Sequence, residues 1–351
     1  MDTVTHGLTG WLIARAVPTE KNGKAATAAV VLGSVLPDAD HVASFFGSEA
    51  AVRFHRGISH SFAGVAVSSL LVALLFYRFG KWKDLKKLYL LTLAGQLSHI
   101  ALDVITSYGT QVLQPFSDAR VSFDLLFIID LLFTGIVAAG IWLSRRHRPA
   151  MARGALAALA LYVGFTAVLH ARAEDAVRAA AERNGVPVVA VAALPRLTEI
   201  DVGTRLAKIP LVGEGEAWAA EELARLPALP IPAGAGRYPF PAGPFSWNGF
   251  VDDGRTYLRA DVNPFTEGVT WRQRVVRGRD VPAVKALASL PDVQTYLWFA
   301  RFPVVQASRA GSGTVLTFSD LRFGGVPGRR RPFVLKVIQE PGRLPSARWG
   351  G

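Results

Sequence analysis

Four long apolar runs alternate with short charged segments in the first half of the chain. They cover residues 57–79, 88–108, 123–144 and 154–169. As a helix the first run is about 34 Å long at ~1.5 Å per residue, which is enough to cross a hydrocarbon core of ~30 Å. The pattern therefore predicts membrane-spanning helices, of which the last is marginal in length. Two further runs, residues 7–17 and 25–36, come first and are short for full spans.

The second half of the chain has a mixed pattern with frequent polar residues. It begins with an alanine-rich polar segment at 171–183 that predicts a helix, and a Pro/Gly-rich stretch at 226–245 predicts an irregular connection. Apolar and β-branched stretches predict strands, and one segment predicts a short helix. The strands are expected at 255–262, 295–307, 314–323 and 333–340, and the short helix at 281–290.

The expected fold class is therefore a mainly α-helical multi-pass membrane bundle followed by a small soluble α+β, strand-rich domain. The boundary is expected at residue 170, with the membrane domain at 1–170 and the second domain at 171–351. Composition agrees with this division, because 50% of the residues are hydrophobic and only 19% are charged, below the ~25% typical of soluble domains.

The formal net charge is +12, but the basic residues do not form one stripe. They cluster at the ends of apolar runs, as topology determinants do, and do not indicate nucleic-acid binding. The chain has no cysteine, which excludes disulfides, thiolate metal ligands and a cysteine nucleophile.

Basic loops also predict the orientation in the membrane. Residues 78–87 and 145–153 are rich in lysine and arginine, and a smaller basic segment lies at 20–24. By the positive-inside tendency these loops are cytoplasmic. The unusual histidines and aspartates then converge on the extracytoplasmic half, and the last span places the C-terminal domain on that same side.

Histidine is concentrated where the chain is otherwise apolar, since five of the seven histidines fall in the first hundred residues. His99 and Asp103 are four apart in a helical run, so they project from one face about 5–6 Å apart. "HRGISH" places His55 and His60 at a helix entrance, and "LPDADH" places two aspartates beside His41.

Ionisable residues inside a membrane are costly and are functional candidates by default. The set His41, His55, His60, His99 and Asp103 therefore predicts a site for a divalent metal, with zinc first and manganese or iron as alternatives. We expect Asp38 or Asp103 to act as a general base. Arg56 can hold an anionic group of the substrate, although a lipid head-group contact explains it equally well. His6 can instead be part of a helix cap, and Asp38 can cap a turn.

Four motifs carry a family resemblance: "HGLTG", "LPDADH", "HRGISHS" and "LSHIALDVITSYGTQVLQPFS". In order and spacing they resemble the YdjM-type bacterial inner-membrane proteins, known as membrane-bound metal-dependent hydrolases and as the domain of unknown function 457 group. The resemblance covers about residues 1–145, and the C-terminal extension resembles that of longer members. It implies a metal-dependent hydrolase whose polar positions are His6, Asp38, Asp40, His41, His55, His60, His99 and Asp103.

Together these observations predict a bacterial inner-membrane metallohydrolase with its site at the extracytoplasmic face, roofed by the C-terminal domain. The expected partners are membrane lipids and a lipidic or lipid-linked substrate, with a phosphoester as the first choice. One alternative is an ion-coupled transporter that uses Asp103, Asp124 and Asp130 as an ion path. Another is a non-enzymatic protein that binds a structural metal.

Overall fold

A computed structural model describes most of the chain, namely residues 1–17, 23–145, 148–196, 243–310, 313–323 and 333–350. By its internal contacts the chain divides into two compact units. The first contains Met1–Ala43 and Phe54–Val168, and the second contains Ser44–Arg53 and Leu169–Gly351.

Nine α-helices and eight β-strands are found in the described residues. The helices are α1 (Thr3–Ala16), α2 (Gly23–Val35), α3 (Ser48–Phe54), α4 (Phe62–Phe79), α5 (Leu85–Val104), α6 (Leu131–Leu143), α7 (Pro149–Arg183), α8 (Pro282–Ala286) and α9 (Pro291–Phe299). The strands are β1 (Ala190–Arg196), β2 (Gly243–Asp252), β3 (Thr256–Asn263), β4 (Gly268–Val276), β5 (Pro303–Ala310), β6 (Gly313–Asp320), β7 (Leu335–Gln339) and β8 (Ser346–Trp349). The predicted fold class, a helical membrane region followed by a strand-rich region, is confirmed.

In the first unit α5 packs against α1, α2 and α4. Small residues bring α2 and α5 into close contact. A Cβ atom on Gly95 would lie 2.3 Å from the Val30 carbonyl oxygen, and one on Gly33 would lie 2.4 Å from the Thr92 carbonyl oxygen. Close backbone approach through glycine is typical of helix packing in membranes. Because His99 follows Gly95 by one turn of α5 and Asp38 follows the end of α2 by three residues, the spacing of the two helices also affects the distance between these side chains.

Polar side chains cap several helices of the first unit. The carboxylate of Asp130 accepts a hydrogen bond from Phe133 N at 2.8 Å, and the Ser61 hydroxyl accepts one from Gly64 N at 2.9 Å. Each satisfies a backbone donor that a helix leaves open at its start. The prediction of a helix over 123–144 is therefore wrong at its beginning, because the Asp130 cap starts α6 at Leu131.

Three stretches of the described chain are long and apolar enough to cross a membrane: Gly23–Phe46, Phe62–Phe79 and Pro149–Arg183. The run 25–36 was expected to be too short for a full span. The structure corrects this, because α2 continues directly into a 3-10 helix, Leu36–Phe46, and the two together are long enough. The predicted run 88–108 forms α5. This helix is not among the three candidate spans, because two lysines in its first turn and the polar residues of its last turns make it less apolar. Helix α6 is a shorter apolar helix.

The second unit contains two four-stranded antiparallel sheets, ordered β1-β2-β3-β4 and β5-β6-β7-β8. The C-terminal part of α7 packs on the first sheet, where Val177, Trp247 and Leu258 share one core. Helices α8 and α9 pack on the second sheet, where Tyr296 contacts Phe318. Each sheet thus buries one face under a helix.

Most of the predicted elements of the second half are present. The predicted helix 171–183 is the C-terminal continuation of α7, and the strands expected at 255–262, 314–323 and 333–340 are β3, β6 and β7. The strand expected over 295–307 is wrong in its first half, because α9 extends to Phe299 before β5 begins at Pro303. Of the stretch 226–245, residues 226–242 lie outside the described residues.

Candidate metal centre

Five histidine and aspartate side chains from separate parts of the sequence meet in the first unit. His6 lies in the first turns of α1, Asp38 follows the end of α2, and His60 immediately precedes α4, while His99 and Asp103 occupy the last turns of α5. All five residues are buried. We call them the inner cluster: His6, Asp38, His60, His99 and Asp103.

The centre of the inner cluster is a pair of imidazoles. Nε2 of His60 lies 3.0 Å from Nε2 of His99. Nδ1 of His99 lies 2.7 Å from the Ser34 carbonyl oxygen, which can only accept a hydrogen bond. His99 therefore carries its proton on Nδ1 and, when neutral, presents a bare lone pair at Nε2.

His60 is oriented in the same way by a different set of oxygens. Its Nδ1 lies 2.9 Å from Ser59 Oγ and 3.0 Å from Asp40 Oδ2. The Ser59 hydroxyl already donates to Asp40 Oδ2 at 2.6 Å, so it can only accept from His60. In the neutral His60 ring Nδ1 is therefore the protonated nitrogen, and the lone pair of Nε2 points at His99.

Two carboxylate oxygens face the same point. Oδ2 of Asp103 lies 3.3 Å from His60 Nε2 and 3.4 Å from His99 Nε2, and Oδ1 of Asp38 lies 3.8 Å and 3.5 Å from the same atoms. Asp103 Oδ2 is buried and has no hydrogen-bond donor. Converging lone pairs of this kind repel one another unless a cation lies among them.

The spacing of these atoms fits a transition-metal ion. Zinc binds nitrogen and oxygen at about 2.0–2.2 Å in a tetrahedral arrangement, so its donor atoms are about 3.3–3.6 Å apart. The separations of 3.0–3.8 Å in the inner cluster bracket that value. The residues present therefore fit a divalent metal, and His60, His99 and Asp103 form one of the groups able to hold it.

His6 lies beside this group and stacks on His99, with ring centroids 3.6 Å apart and planes inclined by 14°. Its Nε2 lies 3.2 Å from both the Met1 carbonyl oxygen and Asp103 Oδ1. Because both oxygens accept, Nε2 carries the proton and Nδ1 is bare. Nδ1 is buried without a hydrogen-bond partner, and His6, Asp38 and His99 form a second group able to hold a metal.

Arg56 contacts Asp103 through Oδ1, the carboxylate oxygen that does not face His60 and His99. Its Nη2 lies 2.8 Å from Asp103 Oδ1, its Nη1 donates to Thr106 Oγ1 at 3.1 Å, and its guanidinium lies over the Tyr108 ring. The Met1 amino group also donates to Asp103 Oδ1. The structure thus places Arg56, expected from the sequence to bind an anionic group, in contact with a buried carboxylate of the protein itself.

A second set of side chains lies next to the inner cluster, and we call it the outer group: Asp40, His41 and His55. Asp40 Oδ1 accepts from His55 Nδ1 at 2.8 Å, while Asp40 Oδ2 contacts His60. His41 Nδ1 lies 3.9 Å from Asp40 Oδ1, and its side chain is 60% exposed. These three residues could also hold a metal ion, so Asp40 connects the two sets through His60.

The two histidines next to Asp40 have opposite pKa shifts. Burial alone lowers the pKa of His60, but the neighbouring carboxylates of Asp103, Asp38 and Asp40 outweigh it and raise the pKa to about 10. Burial lowers the pKa of His55 below its usual value, and the hydrogen bond with Asp40 only partly opposes this. Three carboxylates thus favour positive charge at this point, which either the protonated His60 ring or a cation bound to its neutral form supplies.

The other aspartates near the membrane bundle do not join either set. The carboxylate of Asp130 caps α6 and accepts a hydrogen bond from the Tyr162 hydroxyl at 2.9 Å. Asp124 is buried with a positive φ of 58°. The pairing of Asp130 with Tyr162 gives it a structural explanation that does not involve the metal site.

Several residues of the site were not predicted from the sequence. Ser34 supplies the carbonyl that orients His99, Ser59 orients His60, and the Thr3 hydroxyl donates to Asp38 Oδ2. Thr3 and Ser34 lie just before the motifs "HGLTG" and "LPDADH", and Ser59 lies inside "HRGISHS". Their positions next to predicted ligands were the only available signal, because backbone carbonyls and hydroxyls have no distinctive sequence pattern.

Comparison with known proteins finds relatives for the first half of the chain. A model of the YdjM inner membrane protein family matches residues 1–173. The uncharacterized protein YfhP of Bacillus subtilis (strain 168) is 32% identical over 151 residues, which are 40% of this chain and 46% of YfhP. The match thus spans less than half the length of that curated relative. No solved structure matches the chain.

Proposed function

Residues 1–173 belong to the YdjM inner membrane protein family, and from that premise we propose that the protein is a membrane-bound, metal-dependent hydrolase of phosphoesters. The observation that carries the proposal is the meeting of His60, His99 and Asp103 around one point, with all three side chains buried. Each donor atom is held in position by a second residue, as in metal sites that require a defined ligand orientation.

The inner cluster supplies the ligands in this proposal. His60 Nε2, His99 Nε2 and Asp103 Oδ2 would hold the ion, which is zinc by preference and manganese or iron otherwise, since the donors are nitrogen and oxygen without sulfur. The chemistry that such an ion would supply there is a water with its pKa lowered to about 7 and the polarisation of a phosphoryl oxygen. The outer group of Asp40, His41 and His55 can hold a second ion.

Each carboxylate has its own role in this assignment. Asp103 is held by Arg56 through Oδ1 and presents Oδ2 to the imidazoles. We therefore assign it as a metal ligand. Of the two aspartates considered as the general base, this leaves Asp38. Asp38 Oδ1 lies farther from His60, at 3.8 Å, and is the carboxylate we assign as the proton acceptor. Asp40 accepts from His55 and Ser59 and keeps the His60 ring in place.

The location of the cluster supports action at the extracytoplasmic face. Loop 80–84 joins α4 to α5 and carries Lys81 and Lys83 next to Arg78. His60 lies at the opposite end of α4, and Asp103 lies at the opposite end of α5. If the basic loop is cytoplasmic by the positive-inside tendency, the cluster faces the other side.

An ion-coupled transporter is the alternative class, and the described residues favour it less. From His99 the polar side chains continue along α5 to Gln96 and Thr92. The next turn is closed by apolar side chains, since Leu88, Ala29 and Ala73 are all fully buried in one cluster. A conducting path for an ion needs polar groups through the whole bundle, and this apolar layer interrupts it.

The test is hydrolysis by the full-length protein in detergent, after loading with zinc or manganese. The probes are bis(p-nitrophenyl) phosphate and phosphatidylglycerol in mixed micelles. We expect chelator-sensitive hydrolysis that is lost in Asp38→Asn and His99→Ala and kept in the control His170→Ala, whose imidazole lies beside Glu174 and Trp247. Absence of hydrolysis by metal-loaded wild type, together with metal-dependent ion flux in liposomes, would reject the hydrolase in favour of the transporter.

A further inference from the structure

An apolar groove of about 310 Å³ lies between α1 and α2. Residues from Thr3 to Trp11 line it on α1, and Thr27 and Val31 line it on α2. Its lining surface is almost entirely apolar. Both helices belong to the part of the chain that matches an inner membrane protein family.

One end of the groove lies at the inner cluster. Thr3 lines the groove, and its hydroxyl donates a hydrogen bond to Asp38 Oδ2. The other end is marked by Trp11, eight residues farther along α1, which is about 12 Å at ~1.5 Å per residue. Thr27 lies at the same end, because it is about two turns before the end of α2, and Asp38 follows that end. The groove therefore leads from a carboxylate of the site along two helices.

The groove is open towards the outside of the helical unit. Val4 is 69% exposed and Trp11 is 40% exposed, and Gly7 contributes no side chain to fill the space between them. Helix α2 belongs to a stretch, Gly23–Phe46, that is long and apolar enough to cross a membrane, and apolar side chains exposed on such a helix contact lipid. The α2 side of the groove is therefore expected to face hydrocarbon, and the polar end of the groove is the site.

The lining and the polar end of the groove indicate its occupant. A volume of about 310 Å³ along about 12 Å of helix holds a short length of an extended hydrocarbon chain. The lining is almost entirely apolar, and at one end Thr3 contacts Asp38 of the inner cluster. A lipid, with an apolar chain and a polar head group, has the same distribution of apolar and polar surface.

We propose that this groove binds one hydrocarbon chain of a membrane lipid, whose polar head group then lies at the inner cluster. The inference rests on the proposed function and names its substrate class, which is a lipid phosphoester with the chain along α1 and α2 and the scissile bond beside Asp38. The apolar lining selects for the chain, and the cluster acts on the head group.

The probe for this proposal is phosphatidylglycerol with a photoreactive diazirine in one acyl chain. The full-length protein is irradiated in nanodiscs that contain this lipid, and the labelled residues are located by mass spectrometry. We expect labels concentrated at residues 3–11 and 27–31 in the wild type. The substitution Gly7→Leu places a side chain in the groove, where its Cβ makes only an ordinary contact with Val35, and abolishes this label.

The matched control is Gly135→Leu on α6, where a Cβ meets nothing within 4 Å; it adds the same side chain and keeps the label. Val31→Phe fills the groove from α2 and serves if Gly7→Leu does not fold. Equal labelling of α1, α2 and the exposed leucines of α4 such as Leu71 would show general lipid contact and overturn the proposal. Unchanged labelling in both filling variants would overturn it as well.

Chain binding and hydrolysis are measured separately. The photolabel needs neither metal nor turnover, so His99→Ala is expected to keep it while losing the proposed activity. Loss of hydrolysis with an intact groove label therefore rejects the proposed function alone. Hydrolysis of phosphatidylglycerol that survives Gly7→Leu and Val31→Phe rejects the groove alone.

Discussion

Nε2 of His60 lies 3.0 Å from Nε2 of His99, and the other nitrogen of each ring is held by an acceptor oxygen. When both rings are neutral they therefore point lone pairs at each other in a buried space that also contains Asp103 Oδ2. Protein groups are seldom arranged this way without a positive charge between them, because burial of unpaired lone pairs costs free energy.

The first prediction concerns metal content. His60→Ala and His99→Ala each remove one converging nitrogen, so we expect purified protein to lose its zinc or manganese in both variants. The measurement is elemental analysis of detergent-purified protein beside wild type. His170→Ala, in the second unit, is expected to keep the full content. Equal metal in all four proteins would remove the ligand assignment.

The second prediction concerns Arg56, which acts on the site through Asp103. Arg56→Gln removes the ion pair at 2.8 Å, and loss of such a supporting contact typically weakens metal binding by about 10–100-fold. The measurement is a competition titration with a metal chelator. Arg120→Gln is the matched control, because Arg120 lies over the same Tyr108 ring and donates to the Gly109 carbonyl oxygen.

An equal decrease in metal affinity in both arginine variants would show that packing on Tyr108, and not the ion pair with Asp103, supports metal binding. A direct role in binding substrate would give a different signature. In that case Arg56→Gln would raise KM for an anionic substrate and leave metal affinity unchanged. The buried position of Arg56 predicts the opposite result.

The third prediction concerns the spacing of α2 and α5. A Cβ on Gly95 would lie 2.3 Å from the Val30 carbonyl oxygen, so Gly95→Ala must push the two backbones apart. Overpacking of this kind costs about 1–3 kcal/mol and also moves His99 away from Ser34. We expect a lower thermal midpoint and weaker metal binding. Gly154→Ala, where a Cβ meets nothing within 4 Å, is expected to change neither.

The sequence predicted which candidate ligands lie close together only where periodicity determines it. His99 and Asp103 are four apart in a helix, so their shared face follows directly from the spacing. The meeting of His60 with His99 joins residues 39 apart and depends on how α4 and α5 pack. The sequence could not give the acceptor oxygens either, because a carbonyl such as that of Ser34 is present at every residue.

Boundaries were harder to predict than elements, for local physical reasons. The segment 123–130 is as apolar as the helix after it, but the Asp130 side chain bonds to Phe133 N and begins α6. The segment "TYLWF" at 295–299 has strand propensity, yet it forms the end of α9. Pro291 at the start of this helix favours helical φ, and Tyr296 is fully buried in the core of the second sheet, so tertiary packing overrides propensity.

The fourth prediction concerns pH and the second unit. Burial raises the pKa of Asp253, but hydrogen bonds from Thr256, Arg274 and Arg255 outweigh it and hold the pKa below its usual value. A lowered pKa in the folded state stabilises the protein above the unfolded pKa of about 3.9. That contribution is lost as the pH falls through the lower folded-state pKa.

We therefore expect the difference in thermal midpoint between wild type and Asp253→Asn to be largest near neutral pH and to shrink on acidification below about 4. At neutral pH the substitution should cost about 1–3 kcal/mol, the usual range for a buried hydrogen bond to a charged group. Glu340→Gln, in an exposed pair with Arg343, is the control and should have no measurable effect. A difference that stays constant with pH would contradict the assignment to ionised Asp253.

The fifth prediction concerns the side of the membrane on which the site lies. The chain has no cysteine, so a single introduced cysteine gives an unambiguous label with a membrane-impermeant maleimide. Lys86→Cys lies at the start of α5, beside the basic loop, and Leu344→Cys lies at a position that is 92% exposed. The positive-inside tendency predicts that Leu344→Cys is labelled in cells with a permeabilised outer layer and an intact inner membrane. Lys86→Cys should be labelled only after lysis. The reverse pattern would place the C-terminal domain in the cytoplasm and the basic loop on the other side, and would contradict the predicted orientation.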